Sequence, residues 1–154
     1  VAHQTGRKVS FSLSDPFCVD RHRDDFLDLA EHHVDILFAN EQEIISLYQA
    51  SSFDQSLQAV RGHCEIAALT RGAKGSVIVS GDEIHIVDAD PVGKLADTTG
   101  AGDAYAAGFL FGLASGRDLA TSARIGGIAA AEVISHIGAR PDGSLKDLIE
   151  EKLG

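Results

Sequence analysis

Residues 97–109 read Asp-Thr-Thr-Gly-Ala-Gly-Asp-Ala-Tyr-Ala-Ala-Gly-Phe, a glycine-rich turn that runs straight into an apolar helix. The first N–H groups of an α-helix lack an intrahelical acceptor, and the macrodipole places roughly half a positive elementary charge beside them. Gly100, Ala101 and Gly102 at such a place make a candidate anion site, since glycine lets a ligand approach the backbone and tolerates positive φ where the turn needs it. Asp103 falls in the first turn of the helix, so a carboxylate able to accept a proton stands among those N–H groups. Taken alone, Gly-Ala-Gly-Asp is also compatible with a tight turn and a helix-starting Asp, because short motifs recur without function.

Outward from this turn, strands and helices alternate. The patterning predicts strands at 8–13, 36–39, 66–70, 77–80 and 84–87, with Gly81-Asp82 as a two-residue hairpin turn. Helices are predicted at about 20–32, 42–48, 53–61, 101–114 and 119–137, with a short amphipathic one from Ser144. That order means an α/β fold with a mainly parallel sheet flanked by helices. Residues 1–5 before Gly6 read as the last turn of a helix, so the chain is expected to begin in mid-fold.

With 154 residues and 44% hydrophobic content, one core can form without disulfides or metal. There is no apolar run of membrane-spanning length and no signal-like start, so a cytoplasmic protein is expected. Cys18 and Cys64 lack Cys-x-x-Cys spacing and are expected to be reduced, packing residues. The charge of −10, from 13 basic and 23 acidic residues, argues against nucleic acid or an anionic membrane as partner. A bound nucleotide would have to be held by local dipoles and cations. No two of the 7 histidines have the i, i+4 spacing of a helical zinc site, and none is expected to ligate or catalyse.

Three further segments stand out. Asn40-Glu41-Gln42-Glu43 follows an apolar strand and opens a helix, which suits Asn40 as N-cap and Glu43 as its capping-box partner. Thr70-Arg71-Gly72-Ala73-Lys74-Gly75 is a glycine-bearing turn with two cations, without the ending of a Walker A loop. Residues 122–131, with Gly126-Gly127 at their centre, are crowded with small side chains, the pattern of close helix-to-helix packing.

The string from Asp97 to Phe109 resembles, along its whole length, the second signature of the ribokinase or PfkB carbohydrate kinase family, and the element order resembles the C-terminal half of that fold. The resemblance implies a three-layer α/β/α ribokinase-like (Rossmann-like) architecture. Residues 1–154 would be its C-terminal ATP-binding and catalytic portion, with the N-terminal half and lid absent. It further implies ATP-dependent transfer of the γ-phosphoryl group to a nucleoside or sugar hydroxyl, with Gly100, Ala101 and Gly102 as anion hole and Asp103 as base. Asn40, Thr70, Arg71, Gly72, Ala73, Lys74, Gly75, Gly126 and Gly127 would lie along ATP. Glu43 would orient a water on Mg²⁺, and Asp97, Thr99, Val133 and Gly138 would surround a monovalent cation, K⁺. Ser12-Leu13-Ser14-Asp15-Pro16-Phe17 is similar to the Asn-Leu-Ser-Ala-Pro-Phe segment of adenosine kinases, with Ser12 in place of Asn. Gly138-Ala139-Arg140-Pro141 fits that branch or its sugar-kinase relatives, which sets adenosine ahead of simple sugars as acceptor. By itself the chain is expected to be inactive, and to self-associate, for instance as a homodimer, through an exposed strand edge. The alternative from another class is a non-catalytic nucleotide-binding regulatory or interaction module.

Overall fold

Ile36–Asn40 (β2) and Ile66–Thr70 (β3) are almost uninterrupted apolar runs, and in the computed structural model, which describes all 154 residues, they are adjacent parallel strands with Leu37 opposite Ala67. Ser10–Ser12 (β1) pairs in parallel with β2, Phe11 opposite Leu37. Ser76–Ser80 (β4) and Glu83–Val87 (β5) complete a sheet in the order β1-β2-β3-β4-β5. Burial of the first four positions in each of β2, β3 and β4 explains why these segments read as runs and not as alternation, since a parallel sheet is covered on both faces. In β5 only Val87 is buried, as suits a strand at the sheet's edge. The Gly81-Asp82 turn joins β4 to β5 with Gly81 at φ 56°. The mainly parallel α/β sheet expected from the sequence is what forms.

The chain divides into two compact units, Val1–Arg71 with Val77–His85, and Gly72–Ser76 with Ile86–Gly154. The first holds β1 to β3 and the helices α1 (Pro16–Arg21), α2 (Arg23–His32), α3 (Glu41–Tyr48) and α4 (Phe53–Val60). Its core gathers Leu13, Val19, Leu37, Ile44, Leu47 and Leu69, all fully buried. Each such side chain contributes about 1.5–3 kcal/mol on removal from water. The single helix predicted at 20–32 is two: the chain breaks at His22 (φ −122°, ψ 32°), and α1 begins earlier. Asp15 caps α1 by accepting from Cys18 N–H at 2.9 Å, and Pro16 occupies its first position, where a missing N–H costs nothing. The start of the chain is a single 3₁₀ turn, His3–Thr5, closed by Gly6 at φ 69°. Burial pushes the Cys64 thiol up to about 11, and both cysteines are free.

The second unit is built on α5 (Ala101–Ala114) and α6 (Leu119–Val133), with α7 (Leu145–Leu153) against α6. The first two helices meet through glycine. A Cβ at Gly108 would lie 2.8 Å from Ile125 O, one at Gly112 2.7 Å from Ser122 Oγ, and one at Gly126 2.7 Å from Tyr105 O. The Tyr105 hydroxyl donates to Ser76 Oγ at 2.8 Å, and burial pushes the phenol up to about 12. α6 ends at Val133, with Ile134 as C-cap, and not at residue 137; residues 135–142 form a loop. No helix is long and apolar enough to cross a membrane.

Candidate active site

α5 opens without a capping side chain. Its N-cap is Gly100, held at φ 78°, where a side chain would be strained and where a Cβ would also come 2.7 Å from Ala139 Cβ. Ala104 N–H makes the first helical bond, to Gly100 O at 2.9 Å, and Ala101 N–H turns back to Thr98 O at 3.2 Å. The N–H groups of Gly102 and Asp103 meet no acceptor in the chain. Gly102 has helical φ and nothing within 4 Å of a hypothetical Cβ, so the space beside it is open to a ligand. The Asp103 carboxylate is exposed and makes no hydrogen bond or ion pair. Two free donors and an unengaged acid thus share one helical turn, able to hold an anion and to receive a proton.

The turn before α5 is organised by Asp97. Its Oδ1 accepts from Thr99 N–H (2.9 Å) and Thr99 Oγ1 (2.7 Å), and its Oδ2 from Gly138 N–H (3.2 Å). The Thr99 hydroxyl and N–H, then Gly138 N–H, hold the carboxyl below the usual carboxylate range. Asp97, Thr99 and Gly138, three members of the expected cation set, are therefore in direct contact. Val133, the fourth, is fully buried at the end of α6.

Within the same unit lies a cavity of about 480 Å³ whose lining runs from Gly72 and Ala73 past Pro91 and Leu95 to Gly127 and Thr98. Its walls are mostly apolar, and Thr98 brings it to the turn that starts α5. The two glycines of α6 part company here. Gly126 is consumed by packing on Tyr105, whereas Gly127 faces the cavity, with Asp90 N 4.0 Å from a hypothetical Cβ. The segment Gly72–Lys74 forms a 3₁₀ turn. Gly75 behind it stands at φ 83°, and a Cβ there would lie 2.0 Å from Val87 O, so no other residue fits. Lys74 is exposed and in no ion pair.

In the first unit, Asn40 and Glu43 bind each other. Glu43 Oε2 accepts from Asn40 N–H (2.8 Å) and Oε1 from Asn40 Nδ2 (2.9 Å), while Asn40 Oδ1 accepts from Glu43 N–H (2.8 Å). The capping box expected from the spacing is present. Burial pushes the Glu43 carboxyl up, against the lowering effect of Asn40 N–H, and Asp15 adds to the rise. Arg71, next to Thr70 at the end of β3, is not a free cation: it grips Glu41 (Nη2 to Oε1 3.1 Å, Nε to Oε2 3.4 Å) and lies 4.2 Å over the Phe53 ring. Sequence spacing gave no sign of that pairing, since the partners are thirty residues apart.

The pfkB family carbohydrate kinase model matches residues 1–146. The fold superposes on a "probable sugar kinase protein" from Rhizobium etli CFN 42 with TM-score 0.96 at 47% identity, over 98% of this chain and 46% of that one. An adenosine kinase from Sinorhizobium meliloti matches with TM-score 0.95 at 46% identity, over 98% of this chain and 46% of that one. A nucleoside kinase of Methanocaldococcus jannaschii is 33% identical over 129 residues, 82% of this chain and 41% of its own length. The chain therefore spans less than half the length of each of these three relatives.

Proposed function

This chain belongs to the pfkB family of carbohydrate kinases, and from that premise we propose that it is the C-terminal, ATP-binding and catalytic portion of a kinase that moves the γ-phosphoryl group of ATP to a hydroxyl of a nucleoside or sugar, adenosine first. The observation that carries the reading is the start of α5: free N–H groups at Gly102 and Asp103 beside a carboxylate with no partner. In phosphoryl transfer the protein's work is positioning and electrostatic stabilisation. The turn from Gly100 to Gly102, with Asp103 N–H, receives the negative charge of the transferred group, and the Asp103 carboxylate takes the acceptor's proton as the bond to phosphorus forms.

The nucleotide base occupies the cavity floored by Gly127, with Thr98 on the phosphate side and the Thr70–Gly75 loop along the sugar and phosphates. Lys74 supplies the available cation there, since Arg71 is committed to Glu41 and Phe53. No three His, Cys, Asp or Glu side chains converge into a metal cage, which suits Mg²⁺ held by substrate phosphates and water with one or two carboxylates. Glu43 fits the water-mediated role because Asn40 uses only two of its roughly four acceptor positions. Mg²⁺, when bound, neutralises phosphate charge. Asp97, Thr99, Val133 and Gly138 would hold K⁺ behind the anion turn and steady its backbone.

The test is an acceptor panel with ATP. The complete enzyme carrying these residues is expected to phosphorylate adenosine with a higher kcat/KM than ribose or fructose, read as product by mass spectrometry, and the 154-residue chain alone to turn over none of them. Nucleotide binding without transfer to any acceptor would favour a binding module instead.

A further inference from the structure

The turn before α5 leans on a loop that has no helix or strand of its own. Ile134 O accepts the N–H groups of Ala96 (2.9 Å) and Asp97 (3.4 Å), Gly138 N–H reaches Asp97 Oδ2 (3.2 Å), and Ala139 packs directly on Gly100. The geometry of the anion turn is therefore only as firm as residues 134–142.

One carboxylate oxygen closes that loop at two points. Glu132 Oε1, in the last turn of α6, accepts from His136 Nε2 (3.2 Å) and from Asp142 N–H (3.0 Å). The other imidazole nitrogen of His136 lies 3.8 Å from Asp142 Oδ2. Ser135 Oγ adds a bond to Glu132 O at 2.6 Å. The Glu132 and His136 side chains are only 15% and 17% exposed, and Glu132 Oε2 and His136 Nδ1 are buried without a hydrogen bond. Polar atoms desolvated without a partner cost stability, so this cluster is held at a cost to the fold.

We propose that Glu132 and His136 are positioning residues for phosphoryl transfer: they clamp residues 134–142, and through Gly138 and Ala139 fix Asp97 and Gly100, so that the free N–H groups of Gly102 and Asp103 keep their aim. This rests on the reading of the α5 start as the anion site. Both residues act through the loop and touch no substrate.

The experiment compares Glu132→Ala, Glu132→Gln, His136→Ala and His136→Gln in the complete enzyme, with Asp103→Asn alongside. Glutamine at 132 keeps a carbonyl acceptor for both donors, and glutamine at 136 keeps an N–H near the Nε2 position. The alanine variants are expected to lose about ten- to a hundredfold in kcat, the scale on which remote misplacement acts. Their KM for ATP should stay within about twofold, and the glutamine variants should recover most of the loss. A merely structural role would reduce the folded fraction without this split between kcat and KM. Alanine variants with kcat within about twofold of the parent, normalised to folded protein, would overturn the inference. Should Glu132→Ala not fold, the His136 pair decides by the same criterion. Asp103→Asn, which keeps the backbone N–H groups and removes the proton acceptor, separates the two levels: if it turns over normally, the reading of the α5 start as the reacting centre falls and takes the clamp with it. If it is inactive while His136→Ala is normal, the clamp alone falls.

Discussion

Glu43 in α3 and Asp103 in α5 both stand third in their helices, yet the first is tied up and the second is free. In α3 the N-cap is Asn40, whose side chain takes Glu43 N–H while Glu43 reaches back to Asn40 N–H, so helix donors and acid cancel locally. In α5 the N-cap is Gly100, which has no side chain to offer, and the acid has nothing to reach back to. α1, α4, α6 and α7 are also capped, by Asp15, Ser52, Asp118 and Ser144. With glycine as N-cap, the α5 start forgoes only about a few tenths of a kcal/mol that a capping side chain would supply. α2 also starts without a capping side chain, but its acids Asp24 and Asp25 lie 3.9 Å from Arg23 and His22, so what singles out the α5 start is neither its acid nor its dipole but an acid that the chain leaves unpaired beside free N–H groups.

The largest expected effect follows from that difference. Asp103→Asn preserves size and removes the proton acceptor, so in the complete enzyme kcat should fall by roughly two to four orders of magnitude, with nucleotide affinity and melting temperature nearly intact. A variant with near-parental kcat would make Asp103 an ordinary helix-start residue, as Glu43 is in α3. Glu43→Gln sharpens the other side. The Mg²⁺ concentration for half-maximal rate should rise more than KM for ATP does, while catalysis falls far less than in Asp103→Asn. If only the melting temperature moves, α3 is a capped helix and nothing more.

Much of the fold was legible in the residues. β3 and α5 lie where periodicity places them, because a buried parallel strand and an apolar helix after a glycine turn each carry a strong local signal. The start of α1 was written in Asp15-Pro16, an N-cap followed by proline at the first helical position, but the break at His22 was not, because the pattern from 20 to 32 runs through it. The loop at 135–142 was not legible. It is held by Glu132 and His136 reaching Asp142, and contacts between side chains and a distant backbone N–H leave no periodic trace. At the candidate site, the capping box of Asn40 and Glu43 could be read from spacing alone. The commitment of Arg71 to Glu41 and Phe53, and the division of labour between Gly126 and Gly127, could not, because each depends on what the fold brings opposite.

The claim that the α5 start, and not the α3 start, is the anion site is tested most directly by following backbone amides while a non-hydrolysable ATP analogue is titrated into the complete ¹⁵N-labelled enzyme. The free N–H groups of Gly102 and Asp103 should show saturable shifts, with Glu43 N–H, already bonded to Asn40 Oδ1 at 2.8 Å, moving little. Silent Gly102 and Asp103 amides under saturating nucleotide, with the shifts falling on Glu43 instead, would contradict it.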